Sequence, residues 1–330
     1  MTRTLITGIT GQDGSYLAEA LLADGHEIHG LVRQSSLVQR SRLDSLPACA
    51  AARAEGRLKL HYADLTDSSS LQWLVRQVRP DEVYHLAGQS HVKVSFDLPE
   101  YTADTTGLGT LRLLEAMRQN VPGARFFLAA TSEIFGEPAE SPQSESTPVS
   151  PVNPYAAAKL YALNLVRVYR RAYGLFACAG ILFNHESPRR GENYVTRKIA
   201  RGAARIAKGL EKELHLGTLT PRRDWGWAPD YVEGMRAVLG APAPDDYVLA
   251  TGVTHSVGDF CEIAFGAVGL DYRAYVVIDP EYARPVDITE TRGDAGKAAR
   301  ELGWTSRTTF EELVGRMVEA ELAALEGRDA

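Results

Sequence analysis

Thr7-Gly8-Ile9-Thr10-Gly11-Gln12-Asp13-Gly14 is the stretch whose reading decides the fold. It follows an apolar run, Thr4 to Thr7, that reads as a strand, and precedes Tyr16 to Ala23, which reads as a helix. The glycines have G-x-x-G-x-x-G spacing. A chain that turns tightly from strand to helix, and lets its backbone approach a pyrophosphate, needs glycine at such positions. The helix start adds amide donors and the positive end of a dipole. Gly8, Thr10, Gly11, Gln12, Asp13 and Gly14 are therefore the first candidate site, a cradle for a dinucleotide. The pattern alone could also serve a purely structural turn; its strand–turn–helix setting favours binding.

The alternation continues outward. Glu27 to Val32, Leu58 to Tyr62, Glu82 to Leu86 and Arg125 to Ala130 read as strands. Ser68 to Val78 and Gly107 to Gln119 read as helices between them. Strands alternating with helices predict right-handed βαβ units and a parallel sheet. Asp67-Ser68-Ser69-Ser70 marks a helix start, and Arg79-Pro80-Asp81 a stop. Ser141 to Pro154 reads as a loop, Tyr155 to Tyr173 as a helix, and Phe176 to Phe183 as a further strand. Beyond Asn184 the texture changes, and arginines cluster at 189, 190, 197, 201, 205, 222 and 223. Ala241 to Asp246 reads as a surface turn or linker. The expected fold is α/β: a Rossmann-type doubly wound parallel sheet over residues 1–183, with later returns near 230–260. Residues 184–330 are expected to form a smaller, mostly helical, substrate-binding domain.

The chain has 330 residues, 45% hydrophobic and 24% charged, enough to bury a core without staples. A net charge of −6 argues against a nucleic-acid-binding surface. An anionic nucleotide would then be held by a few placed cations. Cys49, Cys178 and Cys261 lie far apart and read as small buried hydrophobes, so neither a disulfide framework nor a metal site is expected. No apolar run reaches membrane-spanning length, and no leader with a cleavage site opens the chain. No membrane partner is expected, and the expected compartment is the cytoplasm.

The end of the second strand bears on the cofactor. An acid about 20 residues after the glycine turn would suit the ribose 2′-hydroxyl of NAD. Here the strand ends Val32-Arg33, followed by Gln34-Ser35-Ser36, with no acid. Arg33, Ser35 and Ser36 suit a 2′-phosphate and so favour NADP; alternatively Arg33 is a solvated strand end. Asp64 and Leu65 follow the third strand, where an adenine contact is usual. Leu86, Ala87, Gln89 and Ser90 end the fourth, with small residues that let a cofactor lie close to the sheet.

Tyr155-Ala156-Ala157-Ala158-Lys159 puts a phenol and an ammonium on one helix face. The ammonium, with a positive nicotinamide, can lower the tyrosine pKa. The tyrosinate can then take a hydroxyl proton as hydride leaves the same carbon. Thr131-Ser132-Glu133 follows the fifth strand, whose C-terminal end faces the ligand crevice. Thr131 can orient the reacting hydroxyl. Glu133 adds a second acid/base that a simple dehydrogenase does not need; its competing reading is a helix cap or a salt bridge.

These motifs resemble those of the extended short-chain dehydrogenases, and within them the GDP-mannose 4,6-dehydratases. The matching segments are GITGQDGSYLAE (8–19), TSEIFGE (131–137), NPYAAAKLYA (153–162), ILFNHESPRRGENYVTRKI (181–199), RRDWGWAPDYVEGM (222–235) and ATGVTHSVGDF (250–260). The resemblance implies that Thr131, Glu133 and Tyr155, with Lys159, are catalytic. It puts Tyr101, His185 and Arg190 on the cofactor side, and Ser90, Asn184, Glu186, Lys198, Arg223 and Arg284 on the nucleotide-sugar side. Cations there would neutralise a diphosphate, although Arg189, Arg190 and Lys198 could instead be a solvated stretch. It further implies conversion of GDP-mannose to GDP-4-keto-6-deoxy-mannose with NADP, by a homotetramer or homodimer. In that assembly the long loop from Gln34 to Gly56, carrying Arg40, Arg42 and Arg53, would reach a neighbouring subunit. The chain departs from the pattern at Gln34, Gly88, Ile134-Phe135, Trp227 and Val286-Asp287-Ile288. The last two changes put the base and sugar in doubt more than the chemistry. A 4-epimerase or reductase acting on another nucleotide sugar, and a non-catalytic NADP-binding protein, are the alternatives.

Overall fold

The computed structural model describes residues 1–34, 41–282 and 286–327. Ser35, Ser36, Arg40 and Arg284 lie outside the described residues. The first half runs β1 (Arg3–Thr7), α1 (Gln12–Ala23), β2 (Glu27–Val32), α2 (Ser41–Asp44), α3 (Pro47–Ala54), β3 (Leu58–Tyr62), α4 (Ser68–Val78) and β4 (Glu82–His85). It continues with α5 (Val92–Asp97), α6 (Pro99–Thr102), α7 (Gly109–Asn120), β5 (Arg125–Ala129), α8 (Pro154–Tyr173) and β6 (Ala177–Leu182). The second half runs β7 (Asn184–Glu186), α9 (Val195–Ala207), β8 (Leu214–Leu216), β9 (Arg222–Arg223), β10 (Trp225–Trp227), α10 (Ala228–Gly240) and β11 (Asp246–Leu249). It closes with β12 (His255–Ser256), α11 (Val257–Gly266), β13 (Val276–Ile278), β14 (Glu290–Thr291), α12 (Gly296–Leu302) and α13 (Phe310–Glu326).

Seven strands form one sheet in the order β11-β6-β5-β4-β1-β2-β3, and every neighbouring pair is parallel. From β1 the chain winds outward through β2 to β3, then restarts at β4 on the other side of β1. The order therefore reverses between β1 and β4, and such a switch point opens a crevice at the strands' C-terminal ends. Both faces of the sheet are covered, so the central strands are largely buried, while β3 at the edge is partly exposed. Neighbouring residues point to opposite sides. Leu5, Phe126 and Leu128 pack with Leu74 of α4, Leu113 of α7 and Val166 of α8. Ile6, Phe127 and Cys178 pack with Leu17 of α1 and Val238 of α10.

Local chemistry sets the ends of several elements. The Asp67 carboxylate accepts the amides of Ser69 and Ser70 and so starts α4, while Arg79 ends it in the left-handed region at φ 47°. The helix expected from Gly107 begins earlier, as a π-helical segment, Ala103–Leu108, that runs into α7. Pro154 starts α8 with Asn153 as its cap.

Two expectations need correction. The stretch from Ala241 to Asp246 is not wholly a linker, because Asp246 opens β11, whose residues are all buried. Arg167 and Arg170 of α8 pair with Asp246 and hold that edge strand in place. Four residues are too few to show a strand period. The Gln34–Gly56 loop also carries structure: α2 and α3 bury Leu43, Cys49 and Ala52 in the same core as α1.

The second half packs α9, α11 and α13 around a core of their own, with Ile199, Phe260, Phe265, Leu313 and Trp225. Asp224, fully buried, ties this layer to the sheet. Its carboxylate accepts the Thr251, Gly252 and Gly293 amides and the Thr251 hydroxyl.

Candidate active site

The crevice floor is the glycine turn. Gly8 has φ 75°, and a Cβ on it would stand 2.9 Å from the Ala87 amide nitrogen after β4. A Cβ on Gly14 would stand 2.3 Å from the Gly8 carbonyl oxygen. Side chains at either position would drive the turn, α1 and the β4 end apart. Gly11, at the N-cap of α1, brings no side-chain acceptor to the helix start. The turn thus presents main-chain donors and no side-chain bulk, which fits the pyrophosphate of a dinucleotide.

Gln12 and Asp13 then reach across to the segment after β6. The Asp13 carboxylate meets His185 Nε2 at 3.0 Å, and His185 Nδ1 lies 2.8 Å from the Phe183 carbonyl oxygen. Gln12 donates to the Asp13 carboxylate and to the His185 carbonyl, and its own oxygen accepts from Ser187. Burial would raise the Asp13 carboxyl, but His185, two hydrogen bonds and Arg190 outweigh it and hold it at about 2. Burial would lower His185, but the Asp13 charge and hydrogen bonds outweigh it and hold it above its usual value. The pair is a buried ionic lock between the turn and the second half of the chain.

Other cofactor candidates line the way outward. Leu86 and Ala87 sit at the end of β4, partly exposed to the crevice. Arg33, exposed at the end of β2, donates to the Tyr101 hydroxyl and so brings together two residues named from separate segments. Asp64 folds its carboxylate onto the Thr66 amide and hydroxyl, shaping the turn that buries Leu65. Gln89 is occupied locally, donating to Thr102 and to the His91 carbonyl. Ser90 shares a 2.8 Å hydrogen bond with Tyr194, and the Arg190 guanidinium lies 3.8 Å over the Tyr194 ring. Ser35 and Ser36 lie outside the described residues.

The catalytic candidates converge at the ends of β5 and α8. The Thr131 hydroxyl accepts the Glu133 amide and caps the turn Ser132–Phe135, and it acts on the Tyr155 hydroxyl electrostatically. The capping role is thus filled by Thr131, at the C-terminal end of β5. Gly136 ends the turn at φ 62°, where a Cβ would strike the Ser150 carbonyl. Asn153 Nδ2 donates to Glu133 Oε2 at 2.9 Å. Thr131, Glu133, Tyr155 and Lys159 are all buried.

The electrostatics differ from the expectation for Tyr155. Burial pushes its hydroxyl above the usual tyrosine range, partly opposed by the Thr131 hydroxyl. Lys159 does not reach that hydroxyl. Its ammonium donates to the Ala129 carbonyl at 2.7 Å and stands 6.0 Å from the Tyr155 ring centre. Burial lowers Lys159 to about 8. Helical spacing puts the two on one face, but the carbonyl at the end of β5 claims the ammonium.

The substrate-side candidates are spread along the second half. Asn184 and Glu186 lie on β7, which pairs with β10. Glu186 is buried, accepts from Thr196 at 2.6 Å, and pairs with Arg190 at 3.1 Å. Lys198 donates to the His215 carbonyl and stands 3.5 Å over the Tyr282 ring. Arg223 is buried, donating to the Ile288 carbonyl and pairing with Asp287. It holds the strand that follows position 284, and Arg284 itself is outside the described residues. Sequence reasoning passed over Asn153 and Tyr194, whose contacts cross between segments far apart in the chain.

A doubly wound sheet with a glycine turn at its switch point, Thr and Glu after a strand end, and Tyr and Lys on the next helix, is the arrangement of the extended short-chain dehydrogenases. The family model described as GDP-mannose 4,6 dehydratase matches residues 5–317, and the chain belongs to that family. A GDP-mannose 4,6 dehydratase of Arabidopsis thaliana is 52% identical, over 96% of this chain and 86% of that one. A GDP-mannose 4,6 dehydratase of Drosophila melanogaster is 50% identical, over 96% of this chain and 85% of that one. Among solved structures, DesIV, a dTDP-glucose 4,6-dehydratase from Streptomyces venezuelae with NAD and TYD bound, is similar at TM-score 0.84 and 26% identity, covering 99% of this chain and 98% of that one. The expected α/β fold and a hydro-lyase of this family are both borne out.

The buried lock sets a pH dependence. Asp13 is held below its ordinary 3.8, so its stabilisation is complete above that value and lost as pH falls toward about 2. His185 is held above 6.5, so its contribution is complete below 6.5 and lost as pH rises through the raised value. Asp13→Asn should therefore lower the melting temperature most between about pH 4 and 6.5, with the gap to wild type narrowing on both sides. Parallel melting curves across pH 3 to 9 would remove the lock from the stability of the fold.

Proposed function

We propose that this protein converts GDP-mannose to GDP-4-keto-6-deoxy-mannose by an internal redox dehydration, with NADP held on the glycine turn. The observation that carries the reading is the buried Glu133 carboxylate beside Thr131 and Tyr155. An oxidation needs one acid/base group, whereas elimination of water from the neighbouring carbons needs a second. An epimerase or reductase would have no use for it. The relatives' names support GDP-mannose as the substrate.

The cofactor, which the glycine turn and the residues at the end of β4 would hold, would supply a reversible hydride acceptor beside the sugar. Thr131 orients the 4-hydroxyl, and Tyr155 takes its proton as tyrosinate, the form that the positive charge of a bound nicotinamide and of Lys159 would favour against the burial that raises it. The resulting ketone acidifies the hydrogen on carbon 5. Glu133 removes that proton and protonates the departing 6-hydroxyl, which leaves as water. The proton that Tyr155 took from the 4-hydroxyl then passes, directly or through Glu133, to carbon 5, which restores both groups and leaves no net change in cofactor. Lys159, held on the Ala129 carbonyl, supplies positive charge near Tyr155 from beneath the ring. The apolar burial that raises Tyr155 also strengthens each charge placed beside it.

The direct test is purified protein with GDP-mannose and no added reductant, followed by mass spectrometry. Loss of one water without net cofactor oxidation is the expected result. Glu133→Gln should keep cofactor binding and slow elimination by about 10²- to 10⁴-fold; full turnover in that variant would take Glu133 out of the mechanism.

Arg33, with Tyr101, is the feature that favours NADP, since no acid ends β2. Arg33→Ala should weaken NADP binding about ten-fold or more and leave NAD nearly unchanged, as read by calorimetric titration. Equal weakening of the two would mean that Arg33 does not read the 2′-phosphate.

The working form is proposed to be a homotetramer or homodimer. Arg42 already bonds the Thr10 and Arg189 carbonyls of its own chain. The arm that would reach a neighbour is thus anchored at the cofactor turn. Sedimentation as a monomer at micromolar concentration would overturn the assembly.

A further inference from the structure

We infer that Asn153 is a positioning residue that aims the Glu133 carboxylate for proton transfer at carbon 5. This rests on the role proposed for Glu133 above.

The orientation of Asn153 is fixed from both ends. Pro154 follows it and biases the preceding residue toward extended backbone, and Asn153 adopts φ −144° and ψ 157°. Its Oδ1 accepts the Ala156 amide at 2.8 Å and caps α8. A planar amide with its oxygen so committed has its nitrogen direction set. The flipped amide would put a donor against the Ala156 donor. Nδ2 therefore points at Glu133 Oε2, 2.9 Å away. Asn153 is buried, so this bond works with little competition from water.

The consequence is mechanical. Glu133 rides on the turn after β5, and Tyr155 rides on α8. One side-chain hydrogen bond joins these elements, from Asn153 to Glu133. It sets the elimination across carbons 5 and 6, apart from the oxidation at carbon 4 that Tyr155 serves. Both acid/base groups thus share one frame, and Glu133 has its own tether.

The tether separates experimentally from the cap. Asn, Asp and Ser cap helices about equally well. Asn153→Ser should therefore keep α8 and lower the melting temperature by no more than a few degrees, while Asn153→Asp, which sets a second carboxylate against Glu133, should lower it further. Ser shortens the reach to Glu133, and Asp replaces the donor with a second carboxylate. With NADP-loaded enzyme and GDP-mannose, Asn153→Ser should keep KM and the rate of the first oxidation. Elimination, and exchange of the carbon-5 hydrogen with deuterium oxide, should both fall about ten- to a hundred-fold. Reduced nicotinamide should accumulate in the steady state. Asn153→Asp should lose more. Wild-type elimination and exchange in Asn153→Ser would overturn the inference, as would a uniform fall of oxidation and elimination together. Glu133→Gln in parallel tells the two failures apart. If it eliminates water normally, the role of Glu133 fails. If it is inactive while Asn153→Ser is normal, only the role of Asn153 fails.

Discussion

The approach of backbone to backbone at the switch point is the constraint on which the rest depends. Gly8 lies so close to Ala87, and Gly14 so close to Gly8, that neither has room for a Cβ. This contact seats α1 on the end of β1 and aims its N-terminus into the crevice. The phosphate cradle, the Asp13–His185 lock and the spacing to the β5 and α8 ends all follow from that seat. A fold that opened by one methyl group here would lose the cradle and the lock together.

Burial then decides what each polar group can do. It raises Tyr155 and lowers Lys159, so both are moved toward their neutral forms. Asp13 and His185 escape this chiefly by pairing with each other, helped by Gln12 and Arg190 on one side and the Phe183 carbonyl on the other. Asp224 is kept by four donors, although burial still raises its carboxyl. Charges survive inside this protein where a partner or several amides meet them, and such meetings bind distant segments. The structural and chemical uses of these groups cannot be separated. Thr131 caps a turn and acts on Tyr155, and Asn153 caps a helix and holds Glu133.

The same economy shapes the second half. Several of its cations serve the protein's own architecture: Arg223 with Asp287, Arg190 with Glu186, and Lys198 on the His215 carbonyl. A diphosphate entering this side would meet cations already held in place by their neighbours. Such preorganised groups spend little conformational entropy on binding.

The sequence by itself determined the sheet, the glycine turn, the Tyr155–Lys159 pair and the Thr131–Glu133 pair. Each is encoded locally, in apolar runs, glycine spacing or helical period, and the turn and the Thr131–Glu133 pair sit at strand ends that the βαβ alternation defines. Its segments also sufficed to suggest the family. Tertiary structure alone decided the rest. It made β11 an edge strand, gave the arm after β2 two short helices, and routed the Lys159 ammonium to Ala129. It also joined Asn153 to Glu133, Arg33 to Tyr101, and Asp13 to His185 across 172 residues. Contacts over such separations leave no period or spacing in a single sequence. They arise because the folded chain brings buried donors and acceptors together, and each one left unpaired would cost about 1–3 kcal/mol.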